Sequence, residues 1–372
     1  MAEKEVDIEE TASAAAAEGE KTTSTVKSRR ELRMQAQNAE YARQQQQEQN
    51  QRFVTGWDQL SNAMRTGSII YGKAISVYTA DLSGTAEEGT GSAVFLCINW
   101  NGQFKILVPF HEIYRHYPLD RSTIDLSTSA GVRNFVQRQK SMTEKLYGTE
   151  VPVVITAMSH DGELNRDNPY TIVASRAKAL AIIEHNNYTP DKSGFTPVTE
   201  GSFVDANIIS VSSRSLQVNV AGVDTTIQVH DLTYSYVNSD AFLAAHYSAG
   251  EKLPVKVMSI VENEDGTHRI RASHKPVELA EANSSPLALS EGERTTAIIT
   301  RITERNDKPI FHLYLREFKR PAYAIGVKAN TLGVSPMVGD VVRVTISKIL
   351  DDGMLRVKIS HLHGSADLFN RL

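Results

Sequence analysis

Basic and aromatic side chains lie together in one short segment near the end of the chain. Arg316, Lys319, Arg320 and Tyr323 fall within eight consecutive residues. Cationic side chains pair with phosphate groups, and a tyrosine ring can stack on a base, so this combination is typical of a surface that binds a polyanion. An ordinary surface loop can have the same composition, and the sequence leaves both interpretations open.

Patterns for catalysis or metal binding are missing from the sequence. It has no Gly-x-Ser-x-Gly or His-Glu-x-x-His motif. The segment 84–91 is rich in glycine but lacks the lysine of a phosphate-binding loop. His361 and His363 have no cysteine or carboxylate nearby at a spacing that suits a metal. We therefore predict that the protein is not an enzyme and uses no metal or cofactor.

A pattern that occurs three times must position these residues. Each copy opens with a glycine before a segment rich in Val and Ile, and each closes with a short strand pattern. The openings are 67–77, 201–211 and 292–302, and the closing segments are 171–176, 269–274 and 356–361. Such a repeat predicts three copies of one small module.

Within each copy the segments are short, rich in Val and Ile, and separated by turn residues. The pairs Asn101-Gly102, Asp265-Gly266 and Asp352-Gly353 predict hairpin turns, because these residues accept positive φ at low cost. Five strands fit into each copy, with a short helix before the fourth, which is the layout of an OB-fold barrel. The sequence therefore predicts a mostly β chain of three tandem five-stranded OB-fold barrels behind a disordered and helical N-terminal tail.

The predicted boundaries follow from the repeat and from changes in composition. They are an acidic disordered tail and helix at 1–65, a first module at 66–180 with an insertion at 114–145, a second module at 200–276, and a third, degenerate module at 291–363. Flexible linkers are expected between the modules, at 186–200 and 277–290. The helical stretch of the insertion predicts either a lid on the barrel or an added contact with RNA or a partner.

An apolar stripe ends the N-terminal tail. Phe53, Trp57, Leu60 and Met64 are spaced to share one helix face. We expect the helix 53–64 to pack on the first module, and the alternative is that it docks a partner protein.

Charge is distributed unevenly along the chain, although the net charge is only −4. Residues 292–363 hold twelve Lys or Arg against seven Asp or Glu, whereas residues 201–276 hold six against eight. A polyanion contact should therefore depend on the third module. The single cysteine, Cys97, lies in an apolar strand pattern and predicts a buried thiol in a reducing compartment. Without an apolar run of about 18 residues, a cytoplasmic protein with no membrane partner is expected.

The ordered set of motifs resembles the S1 RNA-binding domain, the repeat of bacterial ribosomal protein S1. The matching segments are Gly67 to Gly72, Leu107 to Ile113, Gly250 to Val257 and Arg269 to Lys275. Each motif alone is weak, but their order is repeated. The resemblance extends over about 260 of the 372 residues, and it implies a surface for RNA on strands two and three, bordered by strand five.

The resemblance also implies individual contacts with nucleic acid. It matches the arginine that opens strand five to Arg269 and Arg356, each four residues after an aspartate, and puts Thr171 at that position in the first module. The residues of these two closing strands that we expect at the nucleic acid are Asp265, Arg269, Arg271, Lys275, Asp352 and Arg356. The alternative is that each arginine pairs with the aspartate of its own hairpin.

Alternation along strand two predicts which aromatic rings face outward. Val94, Leu96 and Ile98 should face the core, which puts Phe95 on the opposite face. By the same argument, Tyr314 should face outward in the third module. The second module has no aromatic residue in this strand and is expected to be a spacer.

These observations favour a non-enzymatic protein that binds single-stranded RNA, and the resemblance implies a role in translation with mRNA and the ribosome as partners. The main alternative is a protein-interaction scaffold or adaptor built of OB barrels, which a phage or a mobile element could encode. Degenerate aromatic positions and the negative net charge favour that alternative.

Overall fold

The computed structural model describes most of the chain. The described residues are 29–79, 94–116, 128–162, 164, 168–284, 289–326 and 335–365. The predicted disordered tail at 1–26, the segment 84–91 and part of the predicted insertion, 117–127, lie outside them. The chain divides into two compact units, residues 1–55 and residues 56–372.

The first module is a closed barrel in the strand order β1-β2-β3-β5-β4. Its strands are Ile69–Thr79 (β1), Val94–Trp100 (β2), Phe104–Pro109 (β3), Glu150–His160 (β4) and Tyr170–Ser175 (β5). One parallel pair, Leu107 with Val173, closes the barrel between β3 and β5. Between β3 and β4, helix α2 extends over Ser129–Glu144, and the Thr128 hydroxyl accepts a hydrogen bond from the Gly131 N–H at its start.

The second module has the same strand order but an open backbone ladder. Its elements are Phe203–Val211 (β6), Ser215–Val220 (β7), Val223–Gln228 (β8), the short helices Val229–Leu232 (α4) and Phe242–His246 (α5), Lys252–Glu262 (β9) and His268–Ser273 (β10). A side chain bridges the opening between β8 and β10, because the Thr225 hydroxyl donates to the Ile270 carbonyl over 2.8 Å.

The third module is again a closed barrel of the same order. Its strands are Arg294–Arg305 (β11), Lys308–Leu315 (β12), Arg320–Ile325 (β13), Asp340–Ile349 (β14) and Leu355–Ser365 (β15). The described residues thus form three five-stranded sheets, which confirms the predicted mostly β fold. The middle module differs from the expectation only in how it closes.

Two β-bulges recur at the same place in every module. In the first strand of each, the extra residue is the eighth after the opening glycine, at Ile75, Ile209 and Thr300. In the fourth strand, the extra residue is the eighth after the glycine that precedes the strand. From Gly148, Gly250 and Gly339, this count gives Thr156, Met258 and Ser347. A bulge bends and twists its strand, so the shared positions give equivalent residues in the three modules.

The strand alternation places apolar side chains in the barrels as expected. Val94, Leu96 and Ile98 are fully buried in the first module, and Phe311, Leu313 and Leu315 are buried in the third. Cys97 is also buried, and this burial raises the pKa of its thiol.

Helix α1, Arg29–Thr66, joins the predicted polar helix and the apolar stripe into one helix. In the first unit its side chains from 40 to 49 are exposed, as expected for a polar segment. In the second unit Trp57 packs on the first module, with ring centroids 6.5 Å from Phe104 and 6.2 Å from Tyr170. The alternative of a docking helix needs this face to be free, and here it is covered.

Helices occupy segments where flexible linkers were expected to begin. Helix α3, Arg176–Tyr188, follows β5 without a break, and helix α6, Lys275–Ser284, follows β10. The buried guanidinium of Arg176 donates to both carboxylate oxygens of Asp224 in the second module, over 2.7 and 2.8 Å. Asn283 of α6 donates to the Asp352 carbonyl of the third module over 2.9 Å. The modules therefore share specific contacts, which composition alone does not reveal.

Candidate nucleic-acid interface

Five side chains form a row around the third barrel, one from each strand. Directly paired positions join Arg301 of β11 to His312 of β12, then to Tyr323 of β13, Arg356 of β15 and Lys348 of β14. Opposite residues project from the same face of a sheet, and the residues beside His312, Tyr323 and Arg356 in sequence are buried in the core. We call these five residues the basic row.

The charges of the basic row act on one another. Burial lowers the pKa of His312, and the positive charges of Arg301 and Lys275 lower it further. The Thr303 hydroxyl lies 3.0 Å from the His312 Nε2. Burial also lowers the pKa of Lys275, against the raising effects of Glu278 and Asp231. An anion at this position would be attracted by Arg301 and Lys275 and would favour the protonated form of His312.

Lys275 extends the basic row toward the second module. Its ammonium group lies 4.5 Å from the centre of the Tyr234 ring, a distance typical of a cation–π contact. The Lys275 side chain is half-buried at the start of α6. It was predicted at the nucleic acid, and the structure places it beside the third module rather than on the barrel of the second.

Strand register changes which arginines correspond. Val173, Arg271 and Arg356 each pair with the residue that follows the fourth-strand bulge of their module. Arg356 is therefore equivalent to Arg271 and not to Arg269, which corrects the match made from sequence. The sequence match failed because the hairpins differ in length: eleven residues separate Ser259 from its partner Arg271, whereas seven separate Lys348 from its partner Arg356. Both Arg269 and Arg271 are exposed.

The two hairpin aspartates serve their turns. The Asp265 carboxylate accepts hydrogen bonds from the Thr267 hydroxyl over 2.6 Å and the Thr267 N–H over 3.0 Å, and these bonds lower its pKa. Asp352 accepts from the Met354 N–H over 2.9 Å. In the described part of the chain, neither aspartate forms an ion pair with the arginine four residues later. Their recurrence is explained by turn formation.

The basic segment from 316 to 323 is divided between different environments. Arg320 is buried, and its guanidinium donates to the Ala282 carbonyl over 2.7 Å and to the Asn283 side chain. It binds α6 to the third barrel, so the predicted role in a surface patch is wrong for this residue. Arg316 and Lys319 are exposed in the turn before β13, and Tyr323 belongs to the basic row.

Tyr314 is half-buried against the second module. Burial raises its pKa and outweighs the effect of its hydrogen bond to Ser235. Tyr314 lines a cleft together with residues of the second and third modules. The position that was predicted to be open for stacking therefore lies between two modules.

Phe95 lies in a second aromatic cleft, on the first module. The cleft has a volume of about 660 Å³ and is also lined by Tyr78, Lys105 and Tyr170. Tyr78 and Lys105 are exposed, and Phe95 is half-buried. The Tyr170 hydroxyl accepts a hydrogen bond from the Lys105 N–H over 3.2 Å, which orients the tyrosine ring beside the start of β3. Sequence reasoning missed these three partners of Phe95, since they lie at strand ends where alternation gives no signal.

In the second module, polar side chains occupy the positions equivalent to Arg301, His312 and Tyr323. They are Ser210, Gln217 and Thr226. Asp224, on the adjacent part of β8, is bound by Arg176. This part of the second module is therefore occupied by α3 of the preceding segment.

No protein-family model matches this sequence. No curated protein matches it significantly either. Among solved structures, the chain is similar to a multidomain protein with nucleic-acid-binding domains from Streptococcus pneumoniae TIGR4, at 11% identity and a TM-score of 0.19 over 79% of this chain and 73% of that one. It is also similar to the tetrameric p202 HIN2, at 10% identity and a TM-score of 0.16 over 43% of this chain and 93% of that one. Superpositions this loose carry no functional argument.

Two further absences hold within the described ranges of the chain. No helix within them is long and apolar enough to cross a membrane. No group of three or more His, Cys, Asp or Glu side chains within them could hold a metal ion.

Proposed function

We propose that this protein binds single-stranded nucleic acid, with RNA as the preferred ligand, and catalyses no reaction on it. The observation that carries the proposal is the basic row, in which three cationic side chains, a histidine and a tyrosine follow one another on paired outward positions around a closed barrel. Cations that follow a backbone and rings that stack on bases are the two components of single-strand binding by such barrels.

Single strands suit this face better than duplexes, because a duplex hides the faces of its bases. The Tyr323 ring is half-buried between Arg356 and His312, and its remaining surface can stack on a base. The preference for RNA, and a role in translation with mRNA and the ribosome as partners, rest on the resemblance to the S1 domain. Co-sedimentation with ribosomes tests that finer proposal.

The binding test is fluorescence anisotropy of labelled poly-U RNA with the full chain at about 50 and 200 mM salt. Each phosphate contact to a single strand contributes about 0.7 to the slope of log K against log salt. The three cations of the basic row together with Lys275 therefore predict about a 50-fold loss of affinity between the two salt concentrations.

Two variants locate the binding. Arg356→Ala should weaken binding about tenfold and reduce the salt slope by about 0.7. Tyr323→Ala should weaken it by about 5- to 160-fold with little change in slope, because stacking is worth about 1–3 kcal/mol per base. The matched control is Arg294→Ala. Arg294 is an exposed arginine at the start of β11, about 20 Å along the strand from Arg301 of the basic row at about 3.3 Å per residue.

Absence of binding at 50 mM salt would overturn the proposal. Equal losses in Arg294→Ala and Arg356→Ala would also contradict it, since the interaction would then follow total charge instead of the basic row. A labelled DNA strand of the same length decides between RNA and single strands in general.

A further inference from the structure

A cleft between the second and third modules has features of a small-molecule site. Its volume is about 310 Å³, near the lower end of the range of about 300–1,000 Å³ for such pockets. The second module and α6 supply Tyr236, Phe242, Tyr247 and Glu278, and the third module supplies Tyr314 and Arg316. A volume of this size suits one nucleotide and excludes a longer oligomer.

The walls of the cleft are aromatic and held in place. The Phe242 ring stacks on His246 with centroids 4.2 Å apart. Tyr236 packs so closely on Gly339 that a Cβ at this glycine would lie 2.6 Å from the phenol oxygen. Burial raises the pKa of Tyr247 and of Tyr314, so both phenols stay protonated at neutral pH and can donate hydrogen bonds. Rings fixed in this way can receive a flat base without rearrangement.

Polar groups of opposite charge border these rings. The Glu278 carboxylate accepts from the Thr233 hydroxyl over 2.7 Å and from the Tyr234 N–H over 2.8 Å, one bond to each oxygen. An ionised carboxylate has about four acceptor positions, so this group has capacity for further donors. Arg316 is exposed, and within the described residues its guanidinium forms no ion pair. Among the described residues that line this cleft, it is the one arginine or lysine.

The cleft opens beside the basic row. Tyr314 follows His312 by two residues on β12, and side chains two apart project from the same face of a strand. A strand bound along the basic row would therefore pass the mouth of the cleft.

We propose that this cleft binds one nucleoside 5′-phosphate unit, with the base among the tyrosine rings and the phosphate at Arg316. The adjacent N–H donors of guanine match the acceptor capacity of Glu278, so guanine is the favoured base. Two sources share this chemistry: a free mononucleotide, and a nucleotide turned out of a bound strand. The second source rests on the proposed function, whereas the first does not.

Isothermal titration of the full chain with GMP, UMP and guanosine tests the cleft directly. GMP should bind with a Kd of about 10 μM to 1 mM. Guanosine should bind at least about fivefold more weakly because it lacks the phosphate, and UMP should bind more weakly than GMP. Arg316→Ala should abolish the difference between GMP and guanosine. Arg294→Ala, at an exposed position outside the lining of the cleft, should leave GMP binding unchanged.

Anisotropy of a labelled oligo-U strand with one central guanosine tests the second source. If Arg316→Ala weakens this strand more than an all-U strand, the nucleotide comes from the bound strand. GMP binding that depends on Arg316, with no effect on either strand, assigns the cleft to a free mononucleotide. The same GMP result without any RNA binding supports the nucleotide site in the cleft and overturns the proposed function. The nucleotide site is overturned if GMP does not bind at about 5 mM and if Arg316→Ala affects the guanosine-containing strand and the all-U strand equally.

Tyr314→Phe and Tyr314→Ala keep the test independent of folding. The first retains the ring and should retain most of the GMP affinity, while the second should lose it. Thermal unfolding of both variants verifies that the junction remains folded, and equal GMP affinities in two folded variants would count against stacking in the cleft.

Discussion

At the scale of single residues, the third module's surface is defined by how neighbouring charges alter one another. Burial and the charges of Arg301 and Lys275 hold the pKa of His312 below its ordinary value. The free imidazole is therefore mostly neutral at pH 7, while a phosphate placed beside it would favour the protonated form. Binding of nucleic acid should then be accompanied by proton uptake at this side chain.

This linkage predicts a pH dependence of binding. Because the pKa of His312 is low in the free protein and higher in the complex, affinity should rise as the pH falls from about 7.5 to about 5.5. The measurement is the Kd for poly-U RNA at three pH values in that range and at constant salt. His312→Gln should remove most of the pH dependence, and an unchanged profile in this variant would assign the effect to another group.

At the scale of elements, Gly72 shows how closely β1 and β2 approach each other in the first barrel. Gly72 has an ordinary φ, so conformation does not require a glycine there. Close approach does, because a Cβ at this position would lie 3.0 Å from the Asn99 carbonyl oxygen and closer still to the Ile98 side chain. Gly72 therefore reflects the contact between β1 and β2, whereas Gly67 lies before β1 with a φ of +65° and has no atom within 4 Å of its Cβ position.

Gly72→Ala should destabilise the first barrel by about 1–3 kcal/mol, the usual cost of overpacking. Both tryptophans of the chain, Trp57 and Trp100, lie in or against this barrel, so tryptophan fluorescence in urea reports its unfolding. Lys73→Ala, at the adjacent exposed position, should change stability by less than about 0.5 kcal/mol. Equal effects of the two substitutions would contradict the close-approach argument.

At the scale of the second compact unit, helices α3 and α6 tie neighbouring modules together. Arg176 is only 2% exposed and donates to Asp224 and to the Ile113 carbonyl. The buried Glu184 carboxylate accepts from the His268 N–H over 2.6 Å and also contacts Arg115. Gly222 makes this packing possible, since a Cβ there would lie 2.5 Å from the Glu184 nitrogen. Such contacts couple the first two modules.

Arg176→Ala should uncouple these modules. Removing one partner of a buried pair costs about 3–5 kcal/mol, and we expect about 2–4 kcal/mol because Asp224 is 30% exposed. In urea, the tryptophan signal of the first module should then change before the circular dichroism of the whole chain. Lys178→Ala, exposed on the same helix, is the control, and coincident transitions in Arg176→Ala would argue against coupling through this pair.

The sequence by itself determined the three copies, the strands within them and the residues that face each core. These features depend on period-two alternation and on local turn chemistry, which neighbouring residues settle among themselves. Outward positions for Phe95 and Tyr314 could be predicted for the same reason, although what lies opposite them could not.

Only the tertiary structure decided which charged residues share a surface. Arg271 and Arg356 correspond because each pairs with the residue after the fourth-strand bulge across hairpins of different length, and Arg320 is buried because α6 packs against its strand. Tyr323 meets His312 and Arg356 through pairings with two different strands. Such contacts join residues far apart in the chain, and one bulge shifts a register by a residue, so composition and spacing carry no record of them.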